Sequence, residues 1–212
     1  MLVPTDPHVI SGNRLCLDFV NLGFVSGDPS EHAVFWDEFI DFLTLKQIVS
    51  EERSRHIRAI VETEPQTAAS LLEHAERLGK SLRLIFDASL RKHPCKTQWA
   101  EPINRILRVT EGHDELQLKG ESWRLSFVAR EEGLEWLLAA IARSGAELIS
   151  DRSIQNLKQC ANPDCRILFC DDSRTHRRRW CSMALCGNRS KVAAFARRNH
   201  QEVLEKARAH HA

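Results

Sequence analysis

Apolar residues recur every three or four positions through most of the first 155 residues, which is the spacing of amphipathic α-helices. Phe35, Phe39 and Phe42 follow this spacing, and Asp28-Pro29-Ser30 ahead of them is typical of a helix start. A longer stretch with the same spacing ends at His93-Pro94, where proline disfavours a further turn. The pattern therefore predicts helices over residues 33–48, 51–61, 67–92, 102–110 and 131–149.

Two segments depart from the helical spacing. Arg14–Leu22, with the sequence RLCLDFVNL, is a short and almost continuous apolar run followed by glycine, and we interpret it as a buried strand ending in a turn. Residues 113–130 alternate apolar and polar positions around Lys119-Gly120-Glu121, which predicts an antiparallel β-hairpin. The N-terminal domain is thus predicted to be α+β and mainly helical, with a small antiparallel sheet.

Asp18 and Asn21 are polar residues inside the otherwise apolar Arg14–Leu22 run. A carboxylate in such surroundings must be hydrogen-bonded to be tolerated. One interpretation is a structural polar network at the end of the element. The other is that Asp18 and Asn21 form the polar rim of a ligand pocket in this domain.

Charge is distributed unevenly along a chain whose formal net charge is only +1. Residues 160–212 carry 11 Lys and Arg against 5 Asp and Glu, whereas residues 1–159 carry 19 against 24. A basic end on an acidic body favours a polyanionic partner, although attraction between the two parts is an alternative. No apolar stretch is long enough for a membrane span and the N-terminus does not resemble a signal peptide, so we expect a cytoplasmic protein without a membrane partner.

Five of the seven cysteines lie between residues 160 and 186, and four of them form two pairs of equal spacing. In a reducing compartment such clustering favours metal binding over disulfides. Structural Zn²⁺ takes four ligands from two short-spaced pairs. We therefore predict one structural Zn²⁺ held by Cys160, Cys165, Cys181 and Cys186.

The residues around these cysteines predict a knuckle, a hairpin and a helix. Asn162-Pro163-Asp164 is turn chemistry between the first two ligands. We expect a strand at 166–169, a return strand at 179–181, and a helix after Cys186 with an apolar face that includes Val192 and Phe195. This order is that of a C-terminal treble-clef-like zinc finger. Cys170 is expected to have no role in the metal site.

The segment closely resembles the CGNR zinc finger. The motif stands here as Leu168-Phe169, Asp171-Asp172-Ser173-Arg174, 178–183 (RRWCSM) and 186–189 (CGNR). LCLDFVNL, with a mainly helical region behind it, resembles the ABATE domain that accompanies this finger. The resemblance implies an ABATE-like domain over residues 1–153, a CGNR-type finger with a C-terminal helix over 154–212, and a bacterial transcription regulator that responds to stress or a small ligand.

Basic residues in and after the finger are the candidates for nucleic-acid binding, because the guanidinium fork suits phosphate oxygens and guanine edges. If 177–179 is a strand, its three arginines cannot all face one surface, so we expect one of them, or Asp171 or Asp172, to be held in an internal ion pair. The predicted nucleic-acid-binding residues are Arg174, Arg177, Arg178, Arg179, Arg189, Lys191, Arg197 and Arg198.

The observations bear on three kinds of function. A transcription regulator would contact DNA with the finger and sense a small molecule or a partner with the N-terminal domain, and a homodimer through its N-terminal helices would suit this function. The alternative is a zinc-stabilised protein-interaction module without specific DNA binding. An enzyme is disfavoured because four thiolates close the metal site and no nucleophile–base pairing is evident.

Overall fold

The computed structural model describes residues 12–22, 32–119, 122–129, 134–193, 195, 196 and 199. Within this part of the chain, helices dominate and two small antiparallel sheets each have two strands. The helices are α1 Leu15–Leu22, α2 His32–Leu45, α3 Glu51–Thr63, α4 Pro65–Leu90, α5 Glu101–Val109 and α6 Ala139–Ser150. The strands are β1 Gly112–Lys119, β2 Ser122–Ala129, β3 Leu157–Gln159 and β4 Leu168–Cys170. We refer to the described residues up to 156 as the body and to those from 157 onward as the finger.

The helices predicted from apolar spacing are confirmed as α2 to α6, and their ends have ordinary causes. Residues 131–133 of the last predicted helix lie outside the described residues. Ser50 caps α3 by accepting a hydrogen bond from the Arg53 backbone N–H. Pro65 begins α4, at a position where the missing N–H costs nothing. A short 3₁₀ turn, Glu135–Leu138, leads into α6. The proposed helix start at Asp28-Pro29-Ser30 lies outside the described residues.

The body core forms around α4, whose buried residues recur at helical spacing along its whole length. Leu78, Leu82 and Phe86 are among those that meet side chains from the other helices. In α1 and α2, Phe19, Phe39 and Phe42 form a cluster with ring centroids about 6 Å apart. None of the helices in the described part of the chain is long and apolar enough to cross a bilayer.

The prediction of a strand at Arg14–Leu22 is wrong, because this segment forms helix α1. Helix α1 packs against α4, α6 and β4, so that Cys16, Leu17, Phe19 and Val20 are all buried. A short helix enclosed on several sides has no polar face, and its apolar run cannot be distinguished from a buried strand by periodicity. Tertiary packing therefore decided the conformation.

The hairpin of β1 and β2 is confirmed, with Leu116 opposite Leu125 and Leu118 opposite Trp123. Gly120 and Glu121 in its predicted turn lie outside the described residues. The apolar side chains of the two cross-strand pairs, Leu116, Leu118, Trp123 and Leu125, are all exposed. These four side chains therefore add little to the body core, whereas all three residues of β4 in the second sheet are buried.

Strand β4 pairs with β3 and not with the residues before Cys181, so the prediction of a return strand at 179–181 is wrong. Residues 177–180 instead run as irregular chain, with the Arg179 carbonyl accepting a hydrogen bond from the Ala161 N–H. The reason is that β3 occupies one edge of β4 while Gly12 and Asn21 bond the backbone at its other edge, which leaves no edge for a return strand. The helix after the last cysteine is confirmed over the described residues from 188 onward and follows a turn at Met183–Gly187.

Side chains of β4 alternate between two hydrophobic clusters. Leu168 and Cys170 belong to the body core, whereas Phe169, with neighbouring Ile167, packs among the four cysteines. Alternation with a period of two is the normal consequence of strand geometry. Body and finger thus share a strand, and the domain boundary at residues 153 and 154 stays a prediction.

Candidate metal centre

The sulfur atoms of Cys160, Cys165, Cys181 and Cys186 all lie within 4.8 Å of one another. All four residues are buried, and none is in a disulfide. They are the predicted ligands, brought together from two turns that are about twenty residues apart in sequence. In the described residues these four are the group able to hold a metal ion.

Two local turns position the thiols. In the first, the Asn162 side chain accepts a hydrogen bond from the Asp164 N–H at 3.2 Å, and the Asn162 carbonyl accepts one from the Cys165 N–H at 2.9 Å. In the second, Ser182 caps the following turn by accepting from the Leu185 N–H, and its carbonyl accepts from the Cys186 N–H at 3.0 Å. Asparagine and serine at these positions direct both pairs of thiols inward.

The spacing of the sulfurs fits tetrahedral zinc. Cys181 Sγ lies 3.8 Å from Cys165 Sγ and 3.7 Å from Cys186 Sγ. Four sulfurs at ~2.3 Å from a tetrahedral centre are about 3.8 Å apart. The Cys181 N–H also donates to Cys160 Sγ at 3.5 Å, and Asn162 Nδ2 donates to Cys186 Sγ at 3.7 Å, as expected around thiolates. The donor set and its geometry therefore fit Zn²⁺, which would supply folding free energy to the finger.

The environment makes several uncompensated thiolates unfavourable. Burial raises the pKa of Cys165 to about 11, and the neighbouring Cys160 adds to this effect. Burial also raises the pKa of Cys181, with further repulsion from Cys165 and Cys160. Burial opposes ionisation of Cys160 as well, but N–H groups of Cys181 and Asn162 lower its pKa below the ordinary value. A cation between the sulfurs would offset both the cost of burying thiolates and the repulsion among them.

A second buried polar centre, at Asp171, holds the loop that follows β4. Its carboxylate is fully buried and accepts from Lys158 Nζ at 2.6 Å, from the Ser173 hydroxyl at 2.6 Å and from the Arg178 N–H at 2.8 Å. Burial opposes ionisation, but the Lys158 and Ser173 contacts lower the pKa of Asp171 far below its usual range. The Asp171–Lys158 pair confirms the expected internal ion pair.

Comparison with known protein families identifies the family of this chain. The model of the ABATE family, described as "Putative stress-induced transcription regulator", matches residues 13–152. The chain belongs to the ABATE family. The model of the CGNR zinc finger matches residues 156–199, behind the ABATE region and over all four cysteines. None of the curated proteins matches the chain.

The arginines of the CGNR finger fall into two groups. Arg178 is turned inward: its guanidinium donates to the carbonyls of Trp180 and Cys181, and its Cζ lies 4.6 Å from the centre of the Phe169 ring. Arg179 is exposed and its Cζ lies 5.1 Å from the centre of the Trp180 ring. These contacts make Arg178 a positioning residue for the loop that carries Cys181.

The second group is free to meet a partner. These side chains are exposed and have no hydrogen bond or ion pair within the described part of the chain: Arg166, Arg174, Arg177, Arg189 and Lys191. Arg166 was missed by the sequence analysis, although its place directly after the ligand Cys165 could have indicated it. Arg197 and Arg198 lie outside the described residues.

Asp18 and Asn21, in the ABATE motif LCLDFVNL, lie at the junction between body and finger. Asn21 donates through Nδ2 to the Leu168 carbonyl and accepts through Oδ1 from the Leu168 N–H, both at 2.8 Å. Asp18 is buried and accepts from the Gly12 N–H and from Lys46. Their polar atoms are thus used internally, which favours the structural interpretation over a pocket rim.

Residues 12 and 13 complete this junction. The Gly12 carbonyl accepts from the Cys170 N–H at 3.0 Å, and Asn13 Nδ2 donates to the Cys170 carbonyl at 3.2 Å. A Cβ at Gly12 would collide with Leu17 and come within 3.0 Å of the Leu168 carbonyl, so only glycine allows this approach. Both edges of β4 are therefore occupied, one by β3 and the other by Gly12, Asn13 and Asn21.

Cys170 is separated from the metal ligands. Its side chain is fully buried in the body core, and its Sγ lies 3.6 Å from the Ser153 carbonyl. Burial, followed by the nearby Asp172, raises the pKa of Cys170 to about 11. A thiol with these contacts packs as a small apolar group.

Proposed function

We propose that the protein is a bacterial transcription regulator whose finger, folded around one Zn²⁺, contacts DNA while the ABATE region senses a small ligand or a partner. The observation that carries this proposal is the group of unpaired basic side chains around a closed four-cysteine centre. Arginine and lysine side chains without internal partners are available to phosphate oxygens. The family description and the CGNR match support the regulatory role.

The junction between body and finger supports communication between the two parts. Leu168 contributes its side chain to the body core and its backbone to hydrogen bonds with Asn21, while the adjacent Phe169 packs among the cysteines. A shift of α1 on ligand binding would therefore displace β4 and the finger residues that follow it. This route is part of the proposal.

DNA binding is tested by fluorescence anisotropy of the zinc-loaded protein on a random duplex across salt concentrations. The test variant is Arg177→Gln/Arg189→Gln, because both side chains are exposed and unpaired. We expect weaker binding and a slope of log K against log salt that is shallower by about one for each lost phosphate contact. Arg178 is unsuitable for this test because of its internal contacts.

The matched control is Arg55→Gln/Arg91→Gln, which removes the same charge from two exposed arginines of the body. The control should keep the wild-type slope if DNA lies on the finger. Equal slopes for all three proteins would contradict a finger–DNA contact. Absence of binding at ~50 mM salt, where non-specific contacts are strong, would contradict DNA binding altogether.

The alternative is a zinc-stabilised protein-interaction module, and one observation favours it. Met183, Val192 and Phe195 of the finger are 57%, 69% and 58% exposed, so the apolar face predicted for the last helix is not packed inward. An exposed apolar patch of this kind is typical of a protein-binding surface. Failure of the DNA experiment would favour this alternative.

Three further expectations belong to the proposal. We propose no catalysis at the metal centre, because four cysteine ligands leave no open coordination position for water or substrate. Action on DNA implies a cytoplasmic location, where reducing conditions keep the thiols available to a metal. A homodimer would supply the two half-site contacts that regulators commonly use, and light scattering of the intact protein tests it.

A further inference from the structure

A small cavity lies in the body where α4, α5 and the Glu135–Leu138 turn meet. Its volume is about 110 Å³, and an adjoining depression of about 170 Å³ shares three of its lining residues. Both are well below the ~300–1,000 Å³ of pockets for drug-sized ligands, so any ligand is small. The residues that matter here are His74, Arg105, Ile106, Val109, Thr110 and Trp136.

Two buried polar atoms at this cavity have no hydrogen-bond partner within the described part of the chain. They are His74 Nδ1 and Thr110 Oγ1, and both residues line the cavity. The Thr110 backbone N–H donates to the Ile106 carbonyl at 3.1 Å, whereas the Thr110 hydroxyl has no hydrogen-bond partner among the described residues. Buried polar atoms are nearly always hydrogen-bonded, so these two atoms need either a water or a polar ligand as their partner.

Two charges of opposite sign line the same cavity without an ion pair. Arg105 and Glu135 have no salt bridge or hydrogen bond in the described residues. Their charged neighbours are engaged, since Arg77 pairs with Glu73 and Arg108 pairs with Glu101. An unpaired guanidinium suits a carboxylate, and an unpaired carboxylate suits an ammonium group.

The remaining wall of the cavity is apolar and is held in place. Ile106 is buried in the body core, and Val109 and Trp136 also line the cavity. Arg53 lies over the Trp136 ring, with Cζ 4.8 Å from its centre. Aliphatic groups of a ligand would contact these side chains while its charged groups face Arg105 and Glu135.

We propose that this cavity binds a free α-amino acid with a short apolar side chain. Arg105 receives its carboxylate with help from the Thr110 hydroxyl and His74, and Glu135 receives its ammonium group. This ligand class accounts at once for both unpaired charges and both buried polar atoms. The regulatory meaning of the site rests on the proposed function, whereas binding itself requires neither zinc nor DNA.

The test is a titration of the full-length, zinc-loaded protein with L-valine, 3-methylbutanoate and isobutylamine. The last two lack the ammonium and the carboxylate of L-valine respectively. The readout is the indole N–H resonance of Trp136 in ¹⁵N-labelled protein, assigned among the five tryptophans with a Trp136→Phe variant. We expect a saturable shift with L-valine and at least about tenfold weaker binding of each truncated compound, because each loses a charged contact.

Variants place the ligand in the cavity. Arg105→Gln should weaken L-valine binding at least about tenfold, and Glu135→Gln should weaken L-valine binding but leave 3-methylbutanoate unaffected. Arg55→Gln, which removes an exposed and unpaired charge on α3, is the matched control and should bind as wild type. Equal binding by wild type and Arg105→Gln would overturn the proposal.

Two other outcomes also overturn it. Absence of any saturable shift up to ~10 mM of the three probes would mean that the cavity holds only water. Equal affinity for L-valine and 3-methylbutanoate would mean that Glu135 does not bind the ammonium group. It would also exclude an amino acid as the ligand class. The Cys181→Ser variant, in which we expect DNA binding to be lost, should still shift Trp136 with L-valine, so that failure of one proposal is distinguishable from failure of the other.

Discussion

The body and the finger are stabilised by different kinds of interaction. The body buries long runs of leucine, isoleucine and phenylalanine along α4 and its neighbours. The buried cluster of the finger consists of four cysteines with Ile167 and Phe169, and beside it lies the charged Asp171–Lys158 pair. A piece with so few apolar side chains cannot fold on hydrophobic burial alone. Its stability therefore depends on a metal ion and on a shared strand.

Removal of the metal is the strongest way to separate the two regions. Chelation, or Cys181→Ser, should remove on the order of 10 kcal/mol of stabilisation from the finger while most of the helical signal of the body remains. Circular dichroism follows the body, and the Trp180 indole resonance follows the finger. The control is Cys95→Ser, because Cys95 is exposed and far from the metal centre in sequence. Cooperative loss of both regions would contradict this comparison.

Two adjacent residues of β4 allow a finer separation. Phe169→Ala should cost about 3–5 kcal/mol and weaken zinc binding, because Phe169 packs among the metal ligands. Leu168→Ala should cost about 2–5 kcal/mol and act mainly on the body, whose core contains Leu168.

Denaturation followed by the circular dichroism of the body helices measures the loss of stability in each variant. Competition with a chelator measures the loss of zinc affinity. If both variants weakened zinc binding equally, the placement of Leu168 and Phe169 in different clusters would have no effect on zinc affinity.

The smallest expected effect concerns two neighbouring aspartates. Asp171→Asn should cost about 2–3 kcal/mol, because Asp171 is fully buried with Lys158 and a backbone N–H as donors. Asp172→Asn is the control: Asp172 pairs with Arg14 on the surface, where an ion pair contributes less than about 1 kcal/mol. Urea denaturation of the zinc-loaded variants measures both.

The lowered pKa of Asp171 also predicts a pH dependence. A carboxylate whose pKa is lower in the folded state contributes fully above the ordinary aspartate pKa of about 4, and its contribution decreases as the pH falls below that value. The stability difference between wild type and Asp171→Asn should therefore be constant near neutral pH and shrink in acid. A difference that grew on acidification would contradict the role of the Asp171 carboxylate.

Particular residues show where sequence patterns are reliable. The helical spacing of apolar residues predicted α4, and the alternation of apolar and polar residues predicted the β1–β2 hairpin. Each element is long enough for its period to be recognised. The two spaced cysteine pairs predicted the ligand set for the same reason: local turns impose those spacings. Arg14–Leu22 was misassigned because eight helical residues with no solvent-facing side show no period.

The contacts that join body to finger were beyond prediction. Asn21 meets Leu168, and Gly12 meets Cys170, across about 150 positions of sequence that no local pattern connects. Arg178 was predicted to face DNA, but the curvature of the irregular loop directs it onto Phe169 and two carbonyls. Only the packed chain shows which of several similar arginines is used internally.

The sequence by itself determined helices α2 to α6, the four thiols and the basic character of the finger, because these follow from local spacing and composition, while its CGNR and LCLDFVNL motifs carry the family resemblance. The tertiary structure decided which strand pairs with β4, which polar residues seal the junction and where unpaired polar atoms meet in a cavity. Those features depend on side chains that are distant in the chain and become neighbours only when the apolar faces of the helices pack together.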